Sequence, residues 1–502
     1  MKKVLVFFVA ILFILFASSS SFGFQTELVR AGGEKIDKVL VLVDKNIFPD
    51  IQSELDAYLD SLEKEWSYEC WKVEAREEIE EIRELRRFII QRHSEGASGV
   101  FFIDGGGLPL VHKGGFFVPI ATETYWMDVD PQQWEMWEYD GKIWISPKKV
   151  NDVFLEVFVS RIRGTVEDIR KYLRKIVEYR NERDELEEDG EDGLFYCQEE
   201  GEVSEDLELL NSLAQDEIET VECQSCDKEC FLNFLKKTRK WVDLSKAGGV
   251  DGGNGHILPS GEEVSVEEIK NIAPGGRFYF LWGGNSINYD VPDYVGSAYL
   301  FSGNGVGIFG GVELGGTCNL KFARPRLYSV LRKGFPIGIA QQNYTRALMY
   351  LEQRYIVPAY SYLMAGDPTI IGFSRPPAVR TLLTSWVYQG KLNLKAEVEN
   401  TTRNPMKVKA YLLVRIPCHP ACGFLTFFFN GKEWTTEPVS VPIEISPGEK
   451  KVLKQSVSIS NLQIDHDPHD IWEFGIVLFN PFIEAVLDWD IFYICPFNEI
   501  PQ

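Results

Sequence analysis

The sequence predicts an α/β protein with two parallel-sheet halves, followed by a β-sandwich. Between residues 38 and 373, short apolar strands alternate with amphipathic helices, which is typical of a parallel sheet covered by helices on both faces. After Ala378 the helical periodicity stops, and apolar residues alternate with polar ones as in a sandwich. We therefore expect domains at 36–183, 184–376 and 377–502.

The amino terminus has the pattern of a secretory signal peptide. Lys2 and Lys3 precede an apolar run at 4–17, and small residues follow it. This run is shorter than the roughly 20 residues that a membrane span requires, so we predict a signal peptide at 1–23. An uncleaved anchor is the alternative. The mature chain is expected to be secreted or at the cell surface, with no membrane contact after cleavage.

The first half contains three predicted strands separated by helices with one apolar face. The strands are expected at 38–43, 68–73 and 99–103, because each is a run of largely apolar residues. Helices are predicted from apolar residues at helical spacing: Ile51, Leu55, Tyr58, Leu59 and Leu62 in the first, and Ile79, Ile82, Leu85, Phe88 and Ile89 in the second. A further helix is expected at 166–183.

The second half repeats the alternation after an acidic segment. Strands are predicted at 194–198, 218–223, 277–282, 305–310 and 335–340, and helices at 205–214, 231–240, 265–272, 326–333 and from Tyr344 onward. A glycine-rich loop occupies 248–255. In the last domain, Leu392, Leu394, Ala396 and Val398 point to one face of a strand, and Pro447-Gly448 marks a turn between two strands.

The net charge of −23 argues against nucleic acid or an anionic membrane as a partner. Much of the negative charge lies in 184–229, which holds 19 acidic residues and one lysine. We interpret this stretch as a solvated acidic insertion, since a run of like charges is more often solvated than a store for cations.

Nine cysteines in an exported chain leave two kinds of site open. Cys223, Cys226 and Cys230 are closely spaced, and with Cys197 they could supply four thiolates to zinc. An oxidising compartment favours disulfides or a free thiol instead. Cys418 and Cys422 flank a short loop and could form a further disulfide.

Oxygen-bearing side chains cluster at Glu123, Asp128 and Asp130. Carboxylates at such spacing suit calcium, so calcium is a possible cofactor here. An ordinary hydrogen-bonded turn is the alternative. A glycosidase would need two facing carboxylates, and the sequence offers no means of pairing them.

Several motifs occur in the order and spacing of one peptidase family. They are the helix–strand segment from 81 to 105, which ends in Ile103-Asp104-Gly105, the tyrosine loop at 122–130 followed by Trp134, the strand and helix from 156 to 179, and Gly366-Asp367-Pro368 near the end of the second half. In these residues the chain resembles the gingipain family of cysteine peptidases. The resemblance covers about 38–373, and it implies a caspase-like catalytic fold followed by an immunoglobulin-like sandwich.

The resemblance also implies where a catalytic pair would stand. The family carries histidine in a Gly-His-Gly-Ser turn after the third strand of the catalytic half, and cysteine after the next strand. Taking 277–282 as the third strand places Gly284 at the histidine position and Gly310 and Gly311 at the cysteine position. A shifted alignment would make Cys318 the nucleophile, with His256 as a displaced base.

We therefore expect a secreted pseudoenzyme that keeps the peptidase scaffold without its dyad and binds a peptide or a protein. One alternative is an active cysteine endopeptidase that uses Cys318 with His256, because a thiol must be activated by a neighbouring base. Another is a surface adhesion module based on the C-terminal sandwich.

Overall fold

A computed structural model gives the structure of the chain. It describes residues 26–35, 37–74, 78–104, 110–111, 120–130, 134–139, 141–148, 153, 155–188, 194–198, 218–222, 226–244, 248–249, 255–258, 260–281, 286–289, 293–311, 320–351, 362–372, 378–388, 391–418, 423–429, 434–435, 440–458, 472–480 and 485–494. Several predictions fall outside these residues: the signal peptide at 1–23, the helix at 205–214, Cys223, Gly284, Cys318 and Cys422.

The first half confirms the predicted alternation of strands and helices. Its strands are β1 (Thr26–Gly32), β2 (Lys38–Asp44), β3 (Ser67–Val73), β4 (Ala97–Ile103), β5 (Leu110–Val111), β6 (Ile120–Ala121), β7 (Trp134–Tyr139), β8 (Lys142–Pro147) and β9 (Phe158–Ile162). Its helices are α1 (Phe48–Leu62), α2 (Ile79–Ser94), α3 (Thr124–Met127) and α4 (Val166–Glu188). The boundary expected at Arg183 falls within α4.

The second half adds strands β10 (Leu194–Gln198), β11 (Ile218–Glu222), β12 (Arg239–Leu244), β13 (Gly248–Gly249), β14 (Gly255–Ile257), β15 (Glu263–Ser265), β16 (Gly276–Leu281), β17 (Gly307–Gly311) and β18 (Tyr362–Gly366). Its helices are α5 (Lys228–Leu235), α6 (Val266–Ile272), α7 (Val295–Ser302), α8 (Leu320–Arg332) and α9 (Ile337–Leu351). Helix α6 begins after Ser265, whose side chain accepts a hydrogen bond from the Glu268 amide in a capping box.

The C-terminal part is entirely strand in the residues that the structure describes. It contains β19 (Val379–Tyr388), β20 (Lys391–Asn400), β21 (Met406–Cys418), β22 (Gly423–Phe429), β23 (Trp434–Thr435), β24 (Val441–Ile445), β25 (Lys450–Ser458), β26 (Trp472–Asn480) and β27 (Ala485–Ile494). They form two antiparallel sheets, β19-β20-β25 and β23-β22-β21-β26-β27, with β24 also paired to β21.

The fold is mixed α/β, with a largely parallel central sheet of 11 strands in the order β1-β3-β2-β4-β9-β18-β17-β16-β12-β10-β11. Strand β1 pairs antiparallel with β3, and β18 pairs antiparallel with β17. Because β18 lies between β9 and β17, the two halves share this one sheet. Residues 39–43 of β2 are all buried, as expected for a parallel strand covered on both faces.

Two predicted elements of the second half are wrong. The segment predicted as a helix at 231–240 is helix α5 followed by strand β12, which lies between β16 and β10. Arg239 and Lys240 made this segment resemble the polar end of a helix, although Lys240 is buried in the structure. The strand predicted at 335–340 is instead the start of helix α9. The alternation of apolar residues and glycine in this segment led to the prediction of a strand. Pro336, however, directly precedes the helix, and proline is common at the start of helices.

Hydrogen bonds connect the central sheet layer to the antiparallel sheets. The Lys333 ammonium donates to the carbonyl and the hydroxyl of Thr381, at 3.1 Å each, and Arg380 Nη1 donates to the Gly334 carbonyl at 2.8 Å. Arg326 donates to the Leu383 carbonyl. Among the described helices, none combines the length and the apolar character needed to cross a bilayer.

Candidate functional site

The carboxyl ends of β4 and β9 carry a charged pair. Asp104 follows β4 with a φ of 55°, and its amide donates to the Ile162 carbonyl at 2.8 Å. The Arg163 guanidinium lies 3.9 Å from the Asp104 carboxylate. Burial raises the pKa of Asp104 to about 6, with Asp44 raising it further and Arg163 opposing the shift. Asp104 is therefore a carboxylate that titrates close to neutral pH.

The chain after β16 brings the carboxyl ends of the two halves together. The Ile287 amide donates to the Gly311 carbonyl at 3.0 Å, and the Tyr289 hydroxyl donates to the Arg161 carbonyl at 3.4 Å. A Cβ on Gly310 would lie 2.9 Å from Ile287 Cγ1. Close packing of this segment therefore accounts for glycine at 310, one of the two positions that the resemblance assigned to the nucleophile.

His256 lies in β14, away from these strand ends. Its side chain is completely buried, and its Nε2 is 2.8 Å from the hydroxyl of Tyr299 on α7. Phe231 of α5 packs edge-on against the ring. His256 is thus held in a strand that pairs with β15 and is packed against α5 and α7. Such an imidazole offers no open face to a substrate.

The cysteines in the described part of the chain occupy structural positions. Cys226 and Cys230 are joined in a disulfide, with their Cα atoms 5.4 Å apart. Because Cys226 and Cys230 are joined to each other, two of the four proposed zinc ligands are not available. The bond agrees with the alternative prediction, that these cysteines form disulfides. Cys70 is a free but buried thiol, and burial raises its pKa to about 12. A thiol with so high a pKa is not a nucleophile at neutral pH.

The proposed calcium loop is held by hydrogen bonds within the protein. Asp128 is buried; its Oδ1 accepts from the Asp130 amide at 2.9 Å, and its Oδ2 accepts from Trp134 Nε1 at 2.7 Å. Burial raises the pKa of Asp128 to about 7. Glu123 instead pairs with Arg161 at 2.9 Å. The structure thus favours the hydrogen-bonded turn, and no cluster of metal-ligating side chains occurs among the described residues.

A groove of about 650 Å³ lies at the opposite edge of the sheet, where β2, β3, β4 and β9 begin. We call it the amino-edge groove. Helix α9 and the sheet β19-β20-β25 form its other walls. Its apolar lining residues are Trp66, Phe158, Phe335, Pro336, Ile339, Ile371 and Leu382. No pattern in the amino-acid sequence indicates this groove, because its presence depends on where the C-terminal sheets pack.

The charged residues of the amino-edge groove have both signs. Lys450 pairs with Asp37 at 2.9 Å, and Arg380 pairs with Glu399 at 3.0 Å. Glu156 also lines the groove, and burial raises its pKa. A groove with an apolar floor and charges of both signs suits a ligand that is itself mixed in character, such as a peptide.

The chain matches no protein-family model and no curated protein. Among solved structures, it is 12% identical to Bacteroides uniformis β-glucuronidase 2 bound to cyclophellitol-6-carboxylate aziridine, with 22% of this chain and 12% of that chain covered and a TM-score of 0.16. A FixG-related protein from Vibrio parahaemolyticus is 13% identical, with 23% and 94% covered and a TM-score of 0.15. R. palustris CsgH is 7% identical, with 25% and 99% covered and a TM-score of 0.16.

The chain spans only 12% of the length of the β-glucuronidase. TM-scores of 0.15 to 0.16 are too low to indicate a shared fold. These likenesses therefore carry no argument about function, and the candidate sites must be interpreted from their own chemistry.

Proposed function

We propose that the mature protein is a secreted, gingipain-like protein that binds a peptide or a protein partner and does not cleave it. In this proposal the two parts of the central sheet are caspase-like subdomains, and the C-terminal sheets form an immunoglobulin-like sandwich. Export rests on the predicted signal peptide at 1–23.

One observation carries the non-catalytic part: the strand count of the second half changes once β12 is included. Among the central-sheet strands of that half, β12 is the third in chain order and β16 is the fourth. The resemblance therefore assigns histidine to the segment after β12 and cysteine to the segment after β16. The first histidine after β12 is His256, which is buried against the Tyr299 hydroxyl, and residues 282–306 between β16 and β17 contain no cysteine.

Strand order supports the same correspondence. Strands β12 and β16 pair in parallel at the middle of the second half, with Leu244 next to Leu281 at their carboxyl ends. Groups at the ends of adjacent parallel strands can meet, which is the geometry that a dyad needs. With this strand count, the resemblance assigns Gly284 to the cysteine position and no longer to the histidine position. Glycine can fill neither role, because it has no side chain.

The binding part of the proposal rests on the amino-edge groove. Its volume lies within the roughly 300–1,000 Å³ range of ligand sites, and sites between domains are common. Its floor offers aromatic and aliphatic contact, while Lys450, Glu156 and Arg380 line it with charges of both signs. An extended peptide could use both kinds of contact at once.

The test is binding of a defined pool of fluorescent peptides, measured by anisotropy, with Ile339→Trp as the blocking variant. Ile339 lines the groove, so a larger side chain there should reduce affinity at least about tenfold. Val452→Trp is the matched control, because Val452 is an exposed residue of β25 outside the groove lining. Equal affinity of both variants and the wild type would place binding elsewhere, and no binding by the wild type would refute the proposal.

An active cysteine endopeptidase that uses Cys318 is the main alternative. Cys318 follows β17, the fifth central-sheet strand of the second half in chain order, and so stands one strand beyond the position that the resemblance implies. His256 would have to leave its buried contact with the Tyr299 hydroxyl to reach it. An adhesion module is the other alternative, and its support is limited to the two C-terminal antiparallel sheets.

A further inference from the structure

A small pocket on the first half combines aromatic walls with a concentration of positive charge. It has a volume of about 230 Å³ and lies between α2, α3 and β7. Tyr125 and Trp134 pack edge to face, with ring centroids 5.7 Å apart, and Met136 and Ile90 complete the apolar wall. Trp134 is only 8% exposed, so this wall is firmly packed.

Three arginines line this pocket, and its lining includes no carboxylate. Arg86 is buried, stacks over the Tyr125 ring at 4.6 Å, and donates to the Asp128 and Asp130 carbonyls at 2.7 Å. These bonds fix the base of the pocket. Arg86 Nη2 also lies 3.8 Å from the Asp128 carboxylate, so the positive charge available to attract an anion comes from Arg83 and Arg87.

The other two arginines are available at the rim. The side chains of Arg83 and Arg87 are 42% and 52% exposed, and both contact Glu80, at 3.5 and 3.0 Å. Exposed ion pairs of this kind contribute little to stability, so a ligand carboxylate can replace Glu80 at little cost. Guanidinium groups bind carboxylates through two parallel hydrogen bonds, which favours a planar anion.

From this geometry we propose that the pocket binds a free carboxylate attached to an apolar side chain, as at the carboxyl terminus of a peptide. Arg83 and Arg87 hold the carboxylate, and the apolar side chain packs against Tyr125, Trp134 and Met136. The volume suits one side chain rather than a larger ligand. This site goes beyond the proposed function, because none of its lining residues lines the amino-edge groove.

The experiment titrates the full mature protein with N-acetyl-L-leucine and with N-acetyl-L-leucinamide, using ligand-observed NMR. The acid should bind at least about tenfold more tightly than the amide, and added salt should weaken it. The double variant Arg83→Gln/Arg87→Gln should lose this preference. Arg174→Gln is the matched control, since the Arg174 side chain is 50% exposed, pairs with Glu54 and lies outside the pocket.

Thermal unfolding and the single variant Arg87→Gln keep the result interpretable if the double variant is unstable. A partial loss in the single variant with an unchanged melting temperature supports the proposal. Equal binding of acid and amide, unchanged binding by both pocket variants, or no binding of the acid by wild type overturns it. Failure of the groove experiment leaves this outcome unaffected, because Ile339→Trp does not touch the pocket.

Discussion

The carboxyl and amino edges of the central sheet differ in how closely the rest of the chain packs against them. At the carboxyl edge, the chain after β16 closes over the strand ends, with Tyr289 on the Arg161 carbonyl and Ile287 on the Gly311 carbonyl. At the amino edge, the C-terminal sheets stand off and leave a groove of about 650 Å³. Parallel α/β proteins usually bind ligands at the carboxyl edge. Among the residues that the structure describes, this groove lies at the other edge, which favours a binding role there.

The largest expected effect is at a buried ion-pair cluster that includes Glu65, a residue lining the amino-edge groove. Arg180 is nearly buried and joins Asp367 at 2.8 Å and Glu65 at 2.5 Å, and Asp367 is fully buried. Arg180→Met should lower the free energy of unfolding by about 3–5 kcal/mol, because it leaves a buried carboxylate without its cation. Urea denaturation measures this loss.

The exposed pair on the same helix provides the control. Arg174→Gln removes a contact between a half-exposed arginine and Glu54, which keeps Arg170 as a second partner, so the free energy of unfolding should change far less than in Arg180→Met. A loss of similar size in both variants would mean that burial of the arginine does not distinguish these two ion pairs.

A smaller effect is expected at the carboxyl edge, where Asp104 holds a positive φ. Its pKa is raised to about 6 in the folded state, so its stabilising contribution is complete below about pH 4 and is lost as the pH rises through 6. Asp104→Asn should therefore raise the free energy of unfolding by about 1 kcal/mol at pH 8 and have little effect at pH 4. Asparagine also tolerates a φ of 55°.

Asp104→Ala separates charge from conformation. It removes the same charge but places alanine in the left-handed region, which costs about 1 kcal/mol. We expect its gain at pH 8 to be smaller than that of Asp104→Asn, or absent. If the two variants behave alike at every pH, the backbone strain at Asp104 is negligible.

Apolar periodicity was enough to predict β2, β3 and β4 and the helices α1, α2 and α4 of the first half, but it did not predict β1 or β5 to β8. Strand β2 and helix α1 both have continuous buried faces, so their pattern reports their surroundings directly. Strand β12 was missed because Arg239 and Lys240 look like the end of a helix, although pairing with β10 and β16 imposes an extended conformation. Tertiary pairing overrides local preference at such positions.

The candidate sites were harder to predict than the strands. The carboxylate of Asp128 looked like a cation ligand, and only the structure shows that Trp134 and the Asp130 amide occupy its oxygens. His256 was a candidate displaced base, but Tyr299 of α7 and Phe231 of α5 pack against it and bury it. Contacts between residues far apart in the chain decide these roles, and periodicity does not encode them.

The central claim is that the protein binds peptide without cleaving it, and a cleavage assay tests it most directly. Reduced mature protein is incubated with a mixed peptide library and calcium, and the products are analysed by mass spectrometry beside the Cys318→Ala variant. We predict no cleavage by either protein, because the segment after β16 contains no cysteine and His256, the first histidine after β12, is buried against Tyr299. Cleavage by the wild type that disappears in Cys318→Ala would contradict the account and establish a cysteine endopeptidase.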